Sequence, residues 1–338
     1  MSKRGRRPGR PPVLSKLVVV ITACASMGVN PTNASAQALK LERTIDLAGV
    51  EGRIDHMALD AEAGRLFVAA LGANSVEIID VRVGHRIQRL QGLAEPQGVA
   101  WLAARRQLIV AQGTGARVEA WRNGEPVARV GGLEDADNIR VDAAAGRLYV
   151  GYGAGLAVLE AATLRSLGRI PLPGHAEAFE LSPTGPEIFV NVPSARVVAV
   201  VNRQSGKTVG SWDTGNARGN FPMALDARGA RLFVATRRPP RLLVYDTRAG
   251  RRVADLALCG DADDLFFDGG RHRLYAICGE GVVEVITQDT EDRYRISARV
   301  TTARGARTGL FSPVLSELYV AAPAKDGHPA RVSVFGVD

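Results

Sequence analysis

A chain of 338 residues that is 46% hydrophobic and carries 37 glycines has enough apolar material for a large core and turns often, which excludes an intrinsically disordered polymer. The formal charge of +8 suggests a nucleic-acid or membrane partner until its distribution is considered. Residues 1–38 hold Lys3, Arg4, Arg6, Arg7, Arg10 and Lys16 and no acid, so six of the eight charges sit there and the rest of the chain carries only +2.

That first segment continues with the apolar run Leu17-Val18-Val19-Val20-Ile21 and the small residues Ala34-Ser35-Ala36-Gln37-Ala38. A cationic start, an apolar centre and a small-residue end predict a signal peptide over 1–38, cleaved after Ala36 or Ala38, and a mature domain over 39–338 in the periplasm or secreted. The apolar run is too short to span a bilayer. Ile21-Thr22-Ala23-Cys24 also resembles a lipobox, and lipid on Cys24 would be the one route to a membrane. Cys259 and Cys278 are the only other cysteines. An oxidising compartment permits a disulfide between them, while two buried thiols remain the alternative.

From residue 65 a strand motif recurs seven times: Arg65-Leu66-Phe67-Val68, Gln107-Leu108-Ile109-Val110, Arg147-Leu148-Tyr149-Val150, Glu187-Ile188-Phe189-Val190, Arg231-Leu232-Phe233-Val234, Arg273-Leu274-Tyr275-Ala276 and Glu317-Leu318-Tyr319-Val320. Successive starts are 42, 40, 40, 44, 42 and 44 residues apart. Several short strands at that period predict an all-β, seven-bladed β-propeller of four-stranded antiparallel blades. Within a repeat, an apolar strand A turns through an aspartate-led loop such as Asp60 to Gly64 into the motif strand B. A third strand C follows (Ser75 to Asp80), then a more polar outer strand D (His85 to Leu90). The last repeat runs out after its third strand, Arg331 to Phe335, while an unpartnered strand, Leu41 to Leu47, precedes the first. The N-terminal strand is therefore expected as the outer strand of the last blade, closing the ring.

Arg65-Leu66-Phe67-Val68-Ala69-Ala70 followed by Asn74-Ser75-Val76-Glu77-Ile78-Ile79-Asp80 resembles the YVTN-type, YncE-like propeller repeat over nearly the whole mature chain. The tetrad itself is degenerate, reading Phe67-Val68-Ala69-Ala70 in the first repeat and Phe189-Val190-Asn191-Val192 in the fourth. The resemblance implies a fold; similar propellers include DNA-binding proteins, lactonases, streptogramin lyases and a haem d1 domain, and the fold does not choose among them. No Cys-x-x-Cys-His is present, so covalent c-type haem is excluded.

Chain direction puts the entry to strand A and the exit of strand B on one face, called the top. Eleven residues before each motif Leu or Ile lie Asp55, Gln97, Asp137, Glu177, Phe221, Asp263 and Arg307. The ranks two and four residues further on are mostly apolar, so alternation assigns this first rank to the packed face as well, yet four of its seven members are acids. His56, Asn138 and Asp264 adjoin the rank, and Asp135, His175 and Asp261 precede it by two. Desolvated carboxylates must be paired, protonated or metal-bound. With Arg307 as the only cation in the rank, Asp55, Asp137, Glu177 and Asp263 are candidate ligands of a divalent cation, helped by His56 or His175. A second cluster, Arg218, Arg237, Arg238, Arg241, Lys325 and His328, suggests a basic rim.

The leading expectation is an exported monomeric binding propeller that recognises a small molecule or partner protein at the top face through Asp55, His56, Gln97, Asp137, Asn138, His175, Glu177, Phe221, Asp263, Asp264 and Arg307. The alternative is a metal-assisted lactonase- or lyase-type enzyme, with His56, His175 and Arg307 as candidate catalytic groups. DNA binding comes third, because Phe221 is the one aromatic near the cations that could stack on a base.

Overall fold

A computed structural model describes residues 1, 2, 5, 9 and 38–338. The expected leader, its Cys24 and the cleavage site after Ala36 fall almost wholly outside the described residues.

Short Val- and aromatic-rich runs separated by tight turns fold into seven four-stranded antiparallel sheets, each in the order A-B-C-D. Blade 1 consists of β2 (Met57–Asp60), β3 (Arg65–Ala70), β4 (Ser75–Asp80) and β5 (His85–Gln91). Blade 2 follows with β6 (Pro96–Leu102), β7 (Gln107–Gln112), β8 (Arg117–Arg122) and β9 (Glu125–Gly131), and blade 3 with β10 (Ile139–Asp142), β11 (Arg147–Tyr152), β12 (Gly155–Glu160) and β13 (Ser166–Pro171). Blade 4 is β14 (Phe179–Leu181), β15 (Glu187–Val192), β16 (Val197–Asn202) and β17 (Lys207–Asp213); blade 5 is β18 (Arg218–Asp226), β19 (Arg231–Arg238), β20 (Pro240–Asp246) and β21 (Arg251–Ala257). Blade 6 comprises β22 (Ala262–Asp268), β23 (Arg273–Cys278), β24 (Val282–Thr290) and β25 (Arg293–Thr301). Blade 7 takes β26 (Thr308–Ser312), β27 (Glu317–Ala322) and β28 (Arg331–Val337) from the end of the chain and β1 (Leu39–Asp46) from its beginning.

The ring closes as expected: β1 runs antiparallel to β28 from Leu39 opposite Val337 to Asp46 opposite Arg331. This pairing gives the last blade its outer strand and spares β28 an exposed edge. Leu39, Ile45 and Leu47 are almost wholly buried there.

The aspartates at the A-to-B and C-to-D turns hold their loops by accepting amide protons. Asp60 Oδ1 takes Ala63 N at 3.2 Å, Asp80 Oδ1 takes Arg82 N at 2.9 Å, and Asp226 Oδ1 takes Gly229 N at 3.0 Å. Each is a turn former rather than a reactive group.

Blades are glued through their aromatic positions. The motif aromatic of one B strand lies on the third-rank residue of the next A strand: Phe67 on Trp101 at 5.0 Å between centroids, Phe233 on Phe267 at 5.2 Å, and Tyr275 on Phe311 at 5.1 Å. Such contacts add to the burial of the rings themselves. The third rank is therefore inter-blade packing, as its apolar character implied.

Blade 6 carries one further constraint. Cys259, entering its A strand, and Cys278, ending its B strand, have Cα atoms 5.9 Å apart and are joined. The bond ties Asp261, just before β22, and Asp263, at that strand's start, to the end of β23. A covalent loop of this length, with a sequence separation of 19, is worth about 3 kcal/mol. Reduction, or Cys278→Ser, is expected to lower the free energy of unfolding by about that amount. Titration of unreduced, denatured protein should find no free thiol from this pair; two would rule the bond out.

Candidate functional site

The A strands enter the ring through a recurring β-bulge, and this is what decorates the channel mouth. In blade 1, Asp55 N donates to Ala69 O at 2.7 Å while Ala69 N donates to His56 O at 3.0 Å, so two residues face one. Asp137 and Asn138 bracket Gly151 in the same way, and Glu177 and Ala178 bracket Asn191. Register breaks between Pro96 and Val99, Asn220 and Met223, and Ala262 and Asp264 put the same device in blades 2, 5 and 6. Blade 7 pairs without a break from Thr308 onward. A bulge re-aims side chains that simple alternation would send elsewhere. Assignment of the first rank to the packed face is thereby corrected: both members of each bulge are free to face the channel.

The two members serve different levels. Gln97, Asp137, Glu177, Phe221, Asp263 and Arg307, with Asp135 and His175, line an upper pocket of about 220 Å3. His56, Asn138 and Asp264 line a lower compartment of about 270 Å3. Gly98 makes this close spacing possible, since a Cβ there would lie 2.0 Å from the carbonyl oxygen of Asp137. Asp55 is buried beside the upper pocket, only 1% exposed.

Two cations that sequence reasoning left out of this site change its electrostatics. Arg53 lines the upper pocket, with Nη2 3.0 Å from Asp55 Oδ2 and 3.9 Å from Asp263 Oδ2. Arg237, expected on a basic rim, instead reaches from the end of β19 into blade 6. Its Nη2 donates to Asp263 Oδ1 at 2.5 Å, its Nε lies 3.2 Å from Asp261, and its guanidinium sits 4.2 Å from the centroid of Phe221. Arg307 meets Asp261 at 3.2 Å. The expectation that Arg307 compensates one of the four carboxylates is thus corrected: Arg53 and Arg237 are the arginines paired with them, and Arg307 pairs with Asp261 instead. The rest of the proposed rim is also partly engaged, Arg241 bonding Asp255 at 2.6 Å.

The four carboxylates therefore divide. Asp55 and Asp263 have guanidinium partners, whereas Asp137 and Glu177 face the two imidazoles. His56 Nε2 is 3.7 Å from Asp137 and 3.8 Å from Asp55, with Nδ1 3.5 Å from Asp264, whose other oxygen accepts Gly309 N at 2.8 Å. His175 Nε2 is 3.8 Å from Asp137 and 3.9 Å from Glu177, and its Nδ1 is 3.2 Å from Asp135. Asp135 is itself held by Gln97 Nε2 at 3.1 Å.

Burial pushes the Glu177 carboxyl up to about 7, the charge of Asp137 adding to the effect. It also pushes Asp55 and Asp263 upward, against the pull of His56 on the first and of Arg237 on the second. For His56, burial favours the neutral ring, but Asp264, Asp55 and Asp137 more than reverse this and raise it to about 10. His175 is raised in the same manner by Asp137 and Glu177. Asp137 alone of the three first-rank aspartates is held low, because the two imidazoles outweigh its burial.

No protein-family model and no curated protein matches the chain. Among solved structures, a chain of the hydrazine synthase of Kuenenia stuttgartiensis has a TM-score of 0.75 at 16% identity, over 86% of this chain and 99% of that one. A chain of a mitotic checkpoint complex has a TM-score of 0.75 at 12% identity, over 96% of this chain and 99% of that one. At these identities the likeness carries the seven-bladed propeller fold and nothing of its chemistry.

Proposed function

We propose that this chain is an exported, YncE-like binding propeller whose ligand is a small polar molecule seated in the upper pocket. One observation carries the reading. Asp137 Oδ1 and Asp263 Oδ2 are buried without a hydrogen-bond partner, their nearest cationic neighbours standing off at 3.7 and 3.9 Å, and both belong to side chains at this one mouth. Orphaned buried polar atoms are costly, and their convergence suits a ligand that completes them. The pocket lies below the range of about 300 to 1,000 Å3 usual for drug-sized ligands, which favours a small charged molecule over a peptide. Export rests on the composition of residues 1–38.

The enzyme alternative loses one candidate base, because the carboxylates around His56 favour its protonated ring, which cannot accept a proton. Glu177, raised to about 7, is a group that can, so the binding reading rests on the unpartnered oxygens and not on a want of acid–base groups.

A thermal-shift screen of small amines, carboxylates, amino acids and phosphates tests the reading. At least one class is expected to raise the melting temperature of the parent, with the shift lost in Phe221→Ala. Shifts that survive that substitution would move the ligand elsewhere, and a screen without a shift would oppose the small-ligand reading.

A further inference from the structure

The geometry points to a divalent transition-metal site formed by Asp137, His175 and Glu177, with Asp135 and Gln97 behind it as positioning residues. This deepens the binding reading by placing a metal ion within the pocket. One ligand atom from each of the three side chains falls within 4.8 Å of the others. Imidazole Nε2 to carboxylate separations of 3.8 and 3.9 Å need to close only slightly to meet around an ion with ligand distances of about 2.0 to 2.2 Å.

Two observations separate this trio from an ordinary acidic cluster. Asp137 is more than nine-tenths buried, lines the pocket, and has an oxygen without a hydrogen-bond partner. The two imidazoles balance its charge but leave that oxygen's hydrogen-bonding capacity unused, and a bound ion or an ion's water would take it up. The second is the order of groups behind His175. Gln97 Nε2 donates to Asp135 Oδ1, and Asp135 Oδ2 stands 3.2 Å from His175 Nδ1, on the side of the ring away from Asp137 and Glu177. A carboxylate behind one ring nitrogen fixes the tautomer and orientation that offer the other nitrogen to a metal. Asp137 turns Oδ2 toward His175 at 3.8 Å, while His56 Nε2 stands 3.7 Å from the unpartnered Oδ1, close enough for its charge to favour the carboxylate but not to hydrogen-bond it.

One imidazole with two carboxylates selects transition metals over Ca2+ or Mg2+, which prefer oxygen alone. Three protein ligands leave at least one coordination position open. Arg53, Arg237 and Arg307 line the same pocket, so the group taking that position is an anionic or neutral oxygen donor.

Calorimetric titration of chelator-stripped, dialysed protein with Zn2+ alone is expected to give one site, with Ca2+ and Mg2+ far weaker. His175→Ala and Asp137→Asn should each weaken Zn2+ at least tenfold. Asp135→Asn, which removes no ligand, should weaken it by roughly 10- to 100-fold. His272→Ala, an exposed histidine on the opposite face, should leave affinity unchanged. Loading the parent with Cu2+ gives a readout that needs no variant: hyperfine splitting from a single imidazole nitrogen. Absence of Zn2+ binding, Zn2+ affinity indifferent to His175→Ala and Asp137→Asn, or copper without nitrogen coupling would overturn the site. A protein that ignores Zn2+ yet keeps a Phe221-dependent shift with a small molecule would sink the metal and leave the binding reading standing.

Discussion

Protein beginning at residue 49 is expected to be largely unfolded under conditions where protein beginning at residue 39 is native. The deleted segment carries Leu39, Ile45 and Leu47, each with no more than 1% of its surface exposed. Fully burying such side chains contributes about 1.5 to 3 kcal/mol apiece, so together they supply about 5 to 9 kcal/mol. A domain's whole stability is about 5 to 15 kcal/mol. The deletion also strips β28 of its ladder partner and opens an apolar edge, which favours aggregation over a stable open ring. Urea denaturation followed by circular dichroism compares the two forms. Equal midpoints would mean that β1 is dispensable and that the ring holds without its clasp.

Arg237→Ala is expected to cost about 3 to 5 kcal/mol, more than loss of the disulfide. The guanidinium is the closest counter-charge of Asp263, whose side chain is only 11% exposed, and it also touches Asp261 and covers Phe221. Removing one partner of a largely buried ion pair leaves Asp263 with only the longer 3.9 Å approach of Arg53 to offset its charge, which sets the magnitude. Because the penalty comes from the orphaned carboxylate, Arg237→Ala combined with Asp263→Asn should recover most of the loss. A double-mutant cycle by thermal or chemical denaturation measures the coupling. A double variant no more stable than Arg237→Ala alone would show that Arg237 acts through Phe221 and its packing instead.

The architecture was legible because the repeat is made of structural residues. The interval between Arg65 and Gln107 and its successors sets the blade count, and the unmatched strand before residue 48 sets the closure. The mouth was legible only in part. Counting backward from the motif found Asp137 and Glu177, because each lies at a fixed distance from its B strand. The same count misassigned which way they point, since it assumes an unbroken register and the bulge inserts one residue. Arg53 holds the position two before the rank that flagged Asp135, His175 and Asp261, so its signal was present and passed over. Arg237 gave no such signal. Its strand extends through Arg238, two residues beyond Thr236, and its side chain crosses to the neighbouring blade, a tertiary contact that no spacing encodes.

The bulge also separates what holds the ring together from what the ring presents. The residues from Met57, Val99, Ile139, Phe179, Met223 and Leu265 onward lie in regular ladders and carry the packing between blades, whereas the pair just before each of them shares the bulge, one residue of the two being in excess of the partner strand. Six blades thus offer two adjacent positions each whose side chains can be exchanged with little disturbance to the aromatic contacts below, except where a neighbour's backbone crowds in, as at Gly98. Blade 7, without the extra residue, offers fewer. A scaffold of this kind can acquire a new ligand by changing a handful of neighbouring codons, while most of its stability is inherited from the blade packing below the mouth, the Arg237–Asp263 pair being the exception.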